Sequence, residues 1–258
     1  MRIQRVRSKW AKTEALLADP DVKRFVPETR PYSREKLKEM LHRMGMVYVK
    51  PVNGTFGKGV IRVEKNNGDD RPYGFQSGVR KYRYETFGQM FGKLEEVKLS
   101  KPYLVQQGIE LLQHADRRFD LRLMVQHNSR SEWVSTGLIG RVAHPRKIVT
   151  NYHSGGTPMG PEKLFEPYMS PEQFAQFRDG LCKLGTMVAS AMSRKYPRLK
   201  EIGIDFAIDR TLKPWILEVN TKPDPYIFRK LPDPSVFRRI CRYAVQYGRP
   251  IRQSFPGA

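Results

Sequence analysis

A chain of 258 residues with 39% hydrophobic content can bury a substantial core, which excludes a disordered scaffold and leaves one large domain or two closely joined lobes. Its two cysteines, Cys182 and Cys241, lie far apart, which excludes a disulfide framework, and no window is long and apolar enough to span a bilayer. Lysine and arginine number 47 against 26 aspartates and glutamates, so the net charge of +21 favours an anionic partner (nucleotide, nucleic acid, anionic lipid or acidic polypeptide), with a generally basic solvated surface as the alternative.

In chain order, residues 10–18 read as a short helix, and Ser33 reads as the N-cap of a second helix through Arg43, with Leu37, Met40 and Leu41 on one face. The stretch FVPETRPYS between them reads as a turn. Residues 46–50 form a short apolar strand ending at Pro51, followed by the loop NGTFGKG and a strand over 60–64, so a hairpin is expected. A glycine-rich, charged connection follows, then a helix over 84–95 and a strand over 103–107, completing a small lobe of three or four strands and two helices. A second lobe begins at QGIEL. Residues 119–126 and 132–142 alternate as antiparallel strands, 171–193 is a long helix, and 203–208 pairs with 215–220 around the turn DRTLK. A helix near 233–247 ends the pattern, which is that of an α+β protein with mainly antiparallel sheets. The division expected is an N-terminal helical segment over 1–45, a small lobe over 46–107 and a large lobe over 108–258.

Two groups of residues carry chemistry. In the first, Gly54, Gly57 and Gly59 let a backbone approach phosphate oxygens closely, with Lys58 inside the loop and Lys50 at the end of the preceding strand. The loop fits neither the Walker spacing nor a dinucleotide fingerprint, because a strand follows it. Taken alone it is an ordinary hairpin loop. In the second, GIDFAIDRTLKPWILEVNTKPDP places Asp205 on one strand and Glu218 and Asn220 on one face of its partner, so three oxygen donors converge. They suit magnesium, or else the acids are salt-bridge partners of nearby lysines. Because Ile204, Phe206, Leu217 and Val219 surround them, unpaired burial would be costly and a cation is the less costly of the two explanations.

Lys50 with NGTFGKG, then YLVQQGIEL, FDLRLMV, NYHSGG and GIDFAID with ILEVNTKPDP, in that order, resembles the ATP-grasp superfamily from about Lys9 to Pro225. Within it the chain is most similar to the endospore coat-associated YheC/YheD family, and more distantly to the RimK-type glutamate ligases. The resemblance implies an ATP-grasp fold, two α+β lobes sandwiching ATP, here without a full N-terminal substrate domain. It implies that Lys9 and Lys50 contact the nucleotide phosphates together with the glycine loop. Gln106, Gln107 and Ile109 would recognise adenine at the hinge, and Glu110 the ribose. Related ligases carry an acidic and an aromatic residue where this chain has Gln107 and Gly108. Asp120 and Arg122 match an aspartate-x-arginine pair whose arginine steadies phosphate; Arg141 and Asn151, before Gly155 and Gly156, match the next catalytic positions. Asp205, Glu218 and Asn220 would hold magnesium, two ions in the usual scheme.

The activity implied is an ATP-dependent carboxylate-amine ligase working through an acyl-phosphate, with an amino acid or acidic peptide among the acceptors. An ATP-grasp kinase and an ATP-binding assembly protein of the spore coat, partnered by coat proteins, are the alternatives. Nucleic acid ranks last among partners. A soluble cytoplasmic protein, associated with the coat in the alternative, is expected.

Overall fold

The structure is a computed structural model that describes residues 3–249 and 251. Helix α1 (Lys9–Leu17) opens the chain, with the Ser8 hydroxyl accepting a bond from the Ala11 amide, and it packs against the large lobe. Strand β1 (Thr29–Pro31) and helix α2 (Arg34–Met44) follow, the helix starting at the Ser33 cap and stopping at Gly45, which holds φ +71°. Residues 3–45 thus divide between the lobes, since β1 joins the small-lobe sheet while α1 does not.

The small lobe continues with β2 (Met46–Pro51), β3 (Ile61–Lys65), β4 (Tyr73–Ser77), β5 (Arg80–Tyr84), helix α3 (Phe87–Val97) and β6 (Tyr103–Gln107). Its antiparallel sheet has six strands in the order β1-β6-β2-β3-β4-β5. This corrects the expectation of three or four. The FVPETRPYS turn contains β1, which pairs Thr29 with Gln106, and the charged connection contains the β4–β5 hairpin. There, Phe75 stacks on Tyr82 with ring centroids 4.5 Å apart, so an aromatic face pins strands whose other residues are polar, charged or glycine. Tyr84 therefore belongs to β5, and α3 begins only at Phe87, after its N-cap Thr86, which forms a capping box with Gln89. Leu37, Met40, Val47, Val49, Met90 and Leu94 meet beneath α2 and α3 to form the core of this lobe.

The large lobe holds β7 (Gln113–His114), β8 (Arg117–His127), β9 (Trp133–Val142), β10 (Thr157–Met159), α4 (Pro161–Phe165), α5 (Pro171–Lys195), β11 (Glu201–Ile208), β12 (Pro214–Asn220) and α6 (Pro234–Gln246). The sheet runs β10-β9-β8-β11-β12, all antiparallel, with β7 paired to β8. On β8, Phe119, Leu121, Leu123 and Val125 face the core under α5 and α1, while Met124 with Ile139 of β9 faces a second cluster under α6. That second face is left uncovered by α6 at the end carrying Asp120 and Arg122, and there it looks across to the small lobe. Among the described residues no helix is long and apolar enough to cross a membrane.

Candidate functional site

The uncovered end of the large sheet carries a transverse row of charge. Arg122 of β8 lies opposite Asp205 of β11, which lies opposite Glu218 of β12; one step along, Asp120 lies opposite Arg141. Residues facing each other in an antiparallel ladder project from the same face, so the pairing register alone assembles the row. A β-bulge completes it. Asp205 pairs with Glu218 but Phe206 pairs with Ile216, which leaves Leu217 without a partner. Ile216 and Val219, three residues apart, can then both enter the core, and Glu218 points to the cleft. Strict alternation from Ile216 would have sent Glu218 into the core.

The charges neutralise one another closely. Arg122 grips Asp205 with both Nε and Nη2, the latter 3.1 Å from Oδ2. Arg141 forks onto Asp120 at 2.8 and 2.5 Å and reaches Asp205 Oδ1 at 3.1 Å. Gly203 makes room for this arrangement, since a Cβ there would stand 3.3 Å from Arg122 Cδ and 2.7 Å from Pro223. Burial alone would push the Asp205 carboxyl up, but the Arg122 and Arg141 guanidinium groups outweigh it and hold it well below the usual range. Burial opposes the charge of Arg141, and the Asp120 and Asp205 carboxylates more than restore it.

Glu218 is served from the N-terminal side. Lys9 Nζ lies 2.5 Å from Glu218 Oε1 and 3.3 Å from the Gly54 carbonyl oxygen, and Lys12 Nζ lies 3.6 Å from the same carboxylate. Burial raises the Glu218 carboxyl, and Lys9 and Lys12 reverse that into a net lowering. The start of α1 is fixed at both sides: the Lys9 amide donates to Val52 O at 2.9 Å, and the Val6 amide donates to Thr221 Oγ1 at 2.8 Å. Lys12 was missed in the sequence reading, although its place three residues after Lys9, one turn along the same helix face, was the available signal.

The opposite wall belongs to the small lobe. Val47 and Val49 enter its core, so Lys50 faces the cleft, where its Nζ donates to Gln106 Oε1. Gln106 in turn donates to Thr29 Oγ1 at 3.0 Å, which fixes its amide orientation. Burial lowers Lys50 to about 8, the Glu218 charge partly opposing. The hinge residues lie at the other end of β2: Gln107 pairs with Val47, the Gly108 amide donates to Met46 O at 3.0 Å, and a Cβ on Gly108 would collide with Met46. Ile109 is buried, whereas Glu110 is exposed and pairs with Arg210 at 3.2 Å. Gln106 is thus brought to the ion network while Glu110 is not.

The glycine loop folds over the cleft onto residues 149–156. Phe56 meets His153 edge-on at 4.3 Å, Ser154 Oγ donates to Phe56 O at 2.8 Å, and Gly57, at φ +73°, would place a Cβ 2.9 Å from Asn151 Oδ1. Asn151 therefore stands beside the loop and apart from the Arg141 fork, and Lys58 is exposed on the loop. Gly54 and Gly59 flank it, the latter at φ +75° against Tyr103.

Asp205, Glu218 and Asn220 stand at neighbouring positions of the β11–β12 ladder, where Asn220 Nδ2 donates to Asp205 Oδ2 at 3.4 Å. No group of three or more histidine, cysteine, aspartate or glutamate side chains among the described residues forms a self-sufficient metal cage. Two carboxylates and an amide oxygen fit a hard cation that completes its shell with phosphate and water.

A model of the YheC/D-like ATP-grasp family matches residues 4–251. The chain belongs to that family. ATP-grasp membership brings ATP as the nucleotide. Two curated relatives from Bacillus subtilis (strain 168) are similar to it: endospore coat-associated protein YheD, 25% identical over 229 residues, covering 86% of this chain and 49% of the relative. Endospore coat-associated protein YheC is 24% identical over 219 residues, covering 83% and 59%. The chain thus spans about half the length of the curated relatives it matches. Its fold also resembles the crystal structure of N5-carboxyaminoimidazole ribonucleotide synthetase from Thermotoga maritima, with a TM-score of 0.51, 12% identity, and coverage of 96% of this chain and 50% of that one. The ion network lies in the cleft between the two lobes.

Proposed function

We propose that this chain binds ATP with magnesium and activates a carboxylate as an acyl-phosphate, which an amine then displaces. The observation that carries the reading is the row Arg122–Asp205–Glu218 facing Lys50 across the cleft, with Lys9 bridging Glu218 and the glycine loop. Asp205, Glu218 and Asn220 are the residues that would hold magnesium, whose contribution is to neutralise charge on the transferring phosphoryl group. Every cation here already has a carboxylate or amide partner. With metal and nucleotide bound, Asp205 and Glu218 would serve the metal, and Lys9, Lys12, Lys50, Arg122 and Arg141 would be the cations available to phosphate oxygens.

A substrate carboxylate oxygen attacks the γ-phosphorus, the bond to the β-bridging oxygen breaks, and ADP leaves. The amine nitrogen then attacks the acyl carbon, the carbon–oxygen bond to phosphate breaks, and the amine loses a proton. The arginines and lysines stabilise the charge that spreads over the equatorial oxygens, and no protein nucleophile is required. The glycine loop and residues 149–156 meet at Gly57 and Asn151 and would cover the phosphates from that side.

The test is incubation with ATP, magnesium and panels of amino acids and acidic peptides, reading ADP release and product mass. Release of ADP that depends on both a carboxylate and an amine, with a product lighter by one water than their sum, supports the reading. Nucleotide binding with no acceptor-stimulated turnover sinks it. The names of the YheD and YheC relatives favour a second reading, an ATP-binding assembly role at a spore coat. That reading predicts ATP-dependent association with coat material that survives Arg122→Lys, whereas turnover does not.

A further inference from the structure

The charge left over after the ion network is satisfied collects in a second cleft. Between β3 to β5 of the small lobe and β7, β8 and the segment after β9, a space of about 380 Å³, open to solvent, is lined by Arg62, Lys81, Arg117, Arg118, Arg146 and Lys147, with Asp116 as the acid in its wall. Arg62 is paired with Glu64, and Lys147 donates to the Ser154 carbonyl oxygen at 2.9 Å. For Lys81, Arg117, Arg118 and Arg146, no carboxylate among the described residues lies within ion-pairing distance. Like charges gathered from both lobes without internal compensation raise the potential inside a narrow cleft and favour a polyanion there.

This groove leads to the phosphate site. Arg118, Asp120 and Arg122 alternate along β8 and share a face, so Arg118 stands about 13 Å from Arg122 at the usual strand rise. The charge of Arg118 acts on Tyr48, which precedes Lys50 by two residues on the cleft face of β2. An extended chain lying in the groove would therefore reach the activating centre with one end. The His144 imidazole is the one ring among the lining residues, with no Phe, Tyr or Trp beside it, so the groove lacks the row of stacking platforms that single-stranded nucleic acid uses. The cations face each other across an interlobe cleft, so a membrane surface cannot reach them together. Arginine forks instead match carboxylates two oxygens at a time.

We infer that this groove binds the acceptor, and that the acceptor is a peptide with several side-chain carboxylates, one of which is presented for activation. The inference deepens, and rests on, the carboxylate-activation reading above.

Binding is measured by fluorescence anisotropy with labelled hexaglutamate in the absence of ATP, using the whole chain. The comparison ligands are a single-stranded oligothymidylate of equal charge and phosphatidylglycerol vesicles. The variant is Lys81→Glu with Arg146→Glu, both side chains exposed, outside the ion network and free of described ion pairs. Hexaglutamate should bind, weaken as salt rises, and lose at least roughly tenfold in affinity in the variant, while ATP affinity stays within about twofold of the parent. Absence of peptide binding, equal binding by the variant, or tighter binding of the oligothymidylate or vesicles overturns the inference. Peptide binding without acceptor-stimulated ADP release would leave the groove standing and sink the ligase reading. Turnover with a neutral acceptor, together with no peptide binding, would do the reverse.

Discussion

Replacing Asp205 with asparagine removes one negative charge from the centre of the network and leaves the shape nearly unchanged. Arg141 keeps its fork on Asp120, at 2.8 and 2.5 Å, so it remains compensated. Arg122 does not: its side chain is 9% exposed, and Asp205 is the carboxylate it grips. Stranding a buried charge costs on the order of 3–5 kcal/mol, and the lower end applies because the asparagine oxygen still accepts one bond. Set against a total stability of about 5–15 kcal/mol, that is a large fraction. In urea, a loss of about 3 kcal/mol with a slope of roughly 2–3 kcal/mol/M moves the unfolding midpoint down by about 1 M. Adding Arg122→Met to Asp205→Asn removes the stranded charge and should recover most of the loss. The pH response follows the same logic. Asp205 is held below its ordinary value when folded, so its contribution is complete above the unfolded carboxyl range and fades as pH falls from about 4 toward the lower folded value. The parent should therefore show a steeper acid limb than the asparagine variant. A midpoint shift below about 0.3 M, or no rescue by the second substitution, would refute this account of the network.

Lys50 sits near 8 when folded, against 10.5 for a free lysine, so folding favours its neutral form. Between those values the unfolded chain binds the extra proton, so this residue's contribution to stability rises with pH across that window. ATP affinity, which uses the charged form, should conversely decline as pH rises through about 8, and calorimetric titration of Lys50→Arg, which stays charged, should show a flatter profile. Gly57→Ala places a side chain at φ +73° and within 2.9 Å of Asn151 Oδ1, so the loop must lift from residues 149–156. Turnover should fall by roughly tenfold or more while the thermal midpoint changes little, because the loop contributes little core. Thr86→Ala breaks the capping box of α3, where Thr86 Oγ1 accepts from Gln89 N at 3.3 Å, and should cost about 1 kcal/mol in urea with ATP affinity unchanged.

The hairpin that carries the acids was legible because Asp205, Glu218 and Asn220 stand out against apolar neighbours on two strands joined by a short turn. The bulge at Leu217 was not, since nothing in ILEVN marks which residue loses its partner; only the simultaneous burial of Ile216 and Val219 reveals it. For these buried acids the sequence left a metal ion or salt-bridge partners as the choices, and the structure pairs them with Arg122, Arg141, Lys9 and Lys12. Arginine partners from a strand eighty-three residues away become visible only through register. Composition misled in the small lobe, where glycine and charge between Lys65 and Tyr84 read as a loop while Phe75, Tyr82 and Tyr84 were stacking into a hairpin. The glycine loop itself was legible as a loop; that it closes on Asn151 and His153 required both lobes to be in place.

The central claim is that Glu218, with Asp205 and Asn220, couples metal to nucleotide. Calorimetric titration of ATP into the parent and into Glu218→Gln, each with and without magnesium, addresses it directly. The account predicts that magnesium strengthens ATP binding to the parent by roughly a hundredfold and that the variant loses most of this gain. An equal magnesium effect in both proteins would contradict it.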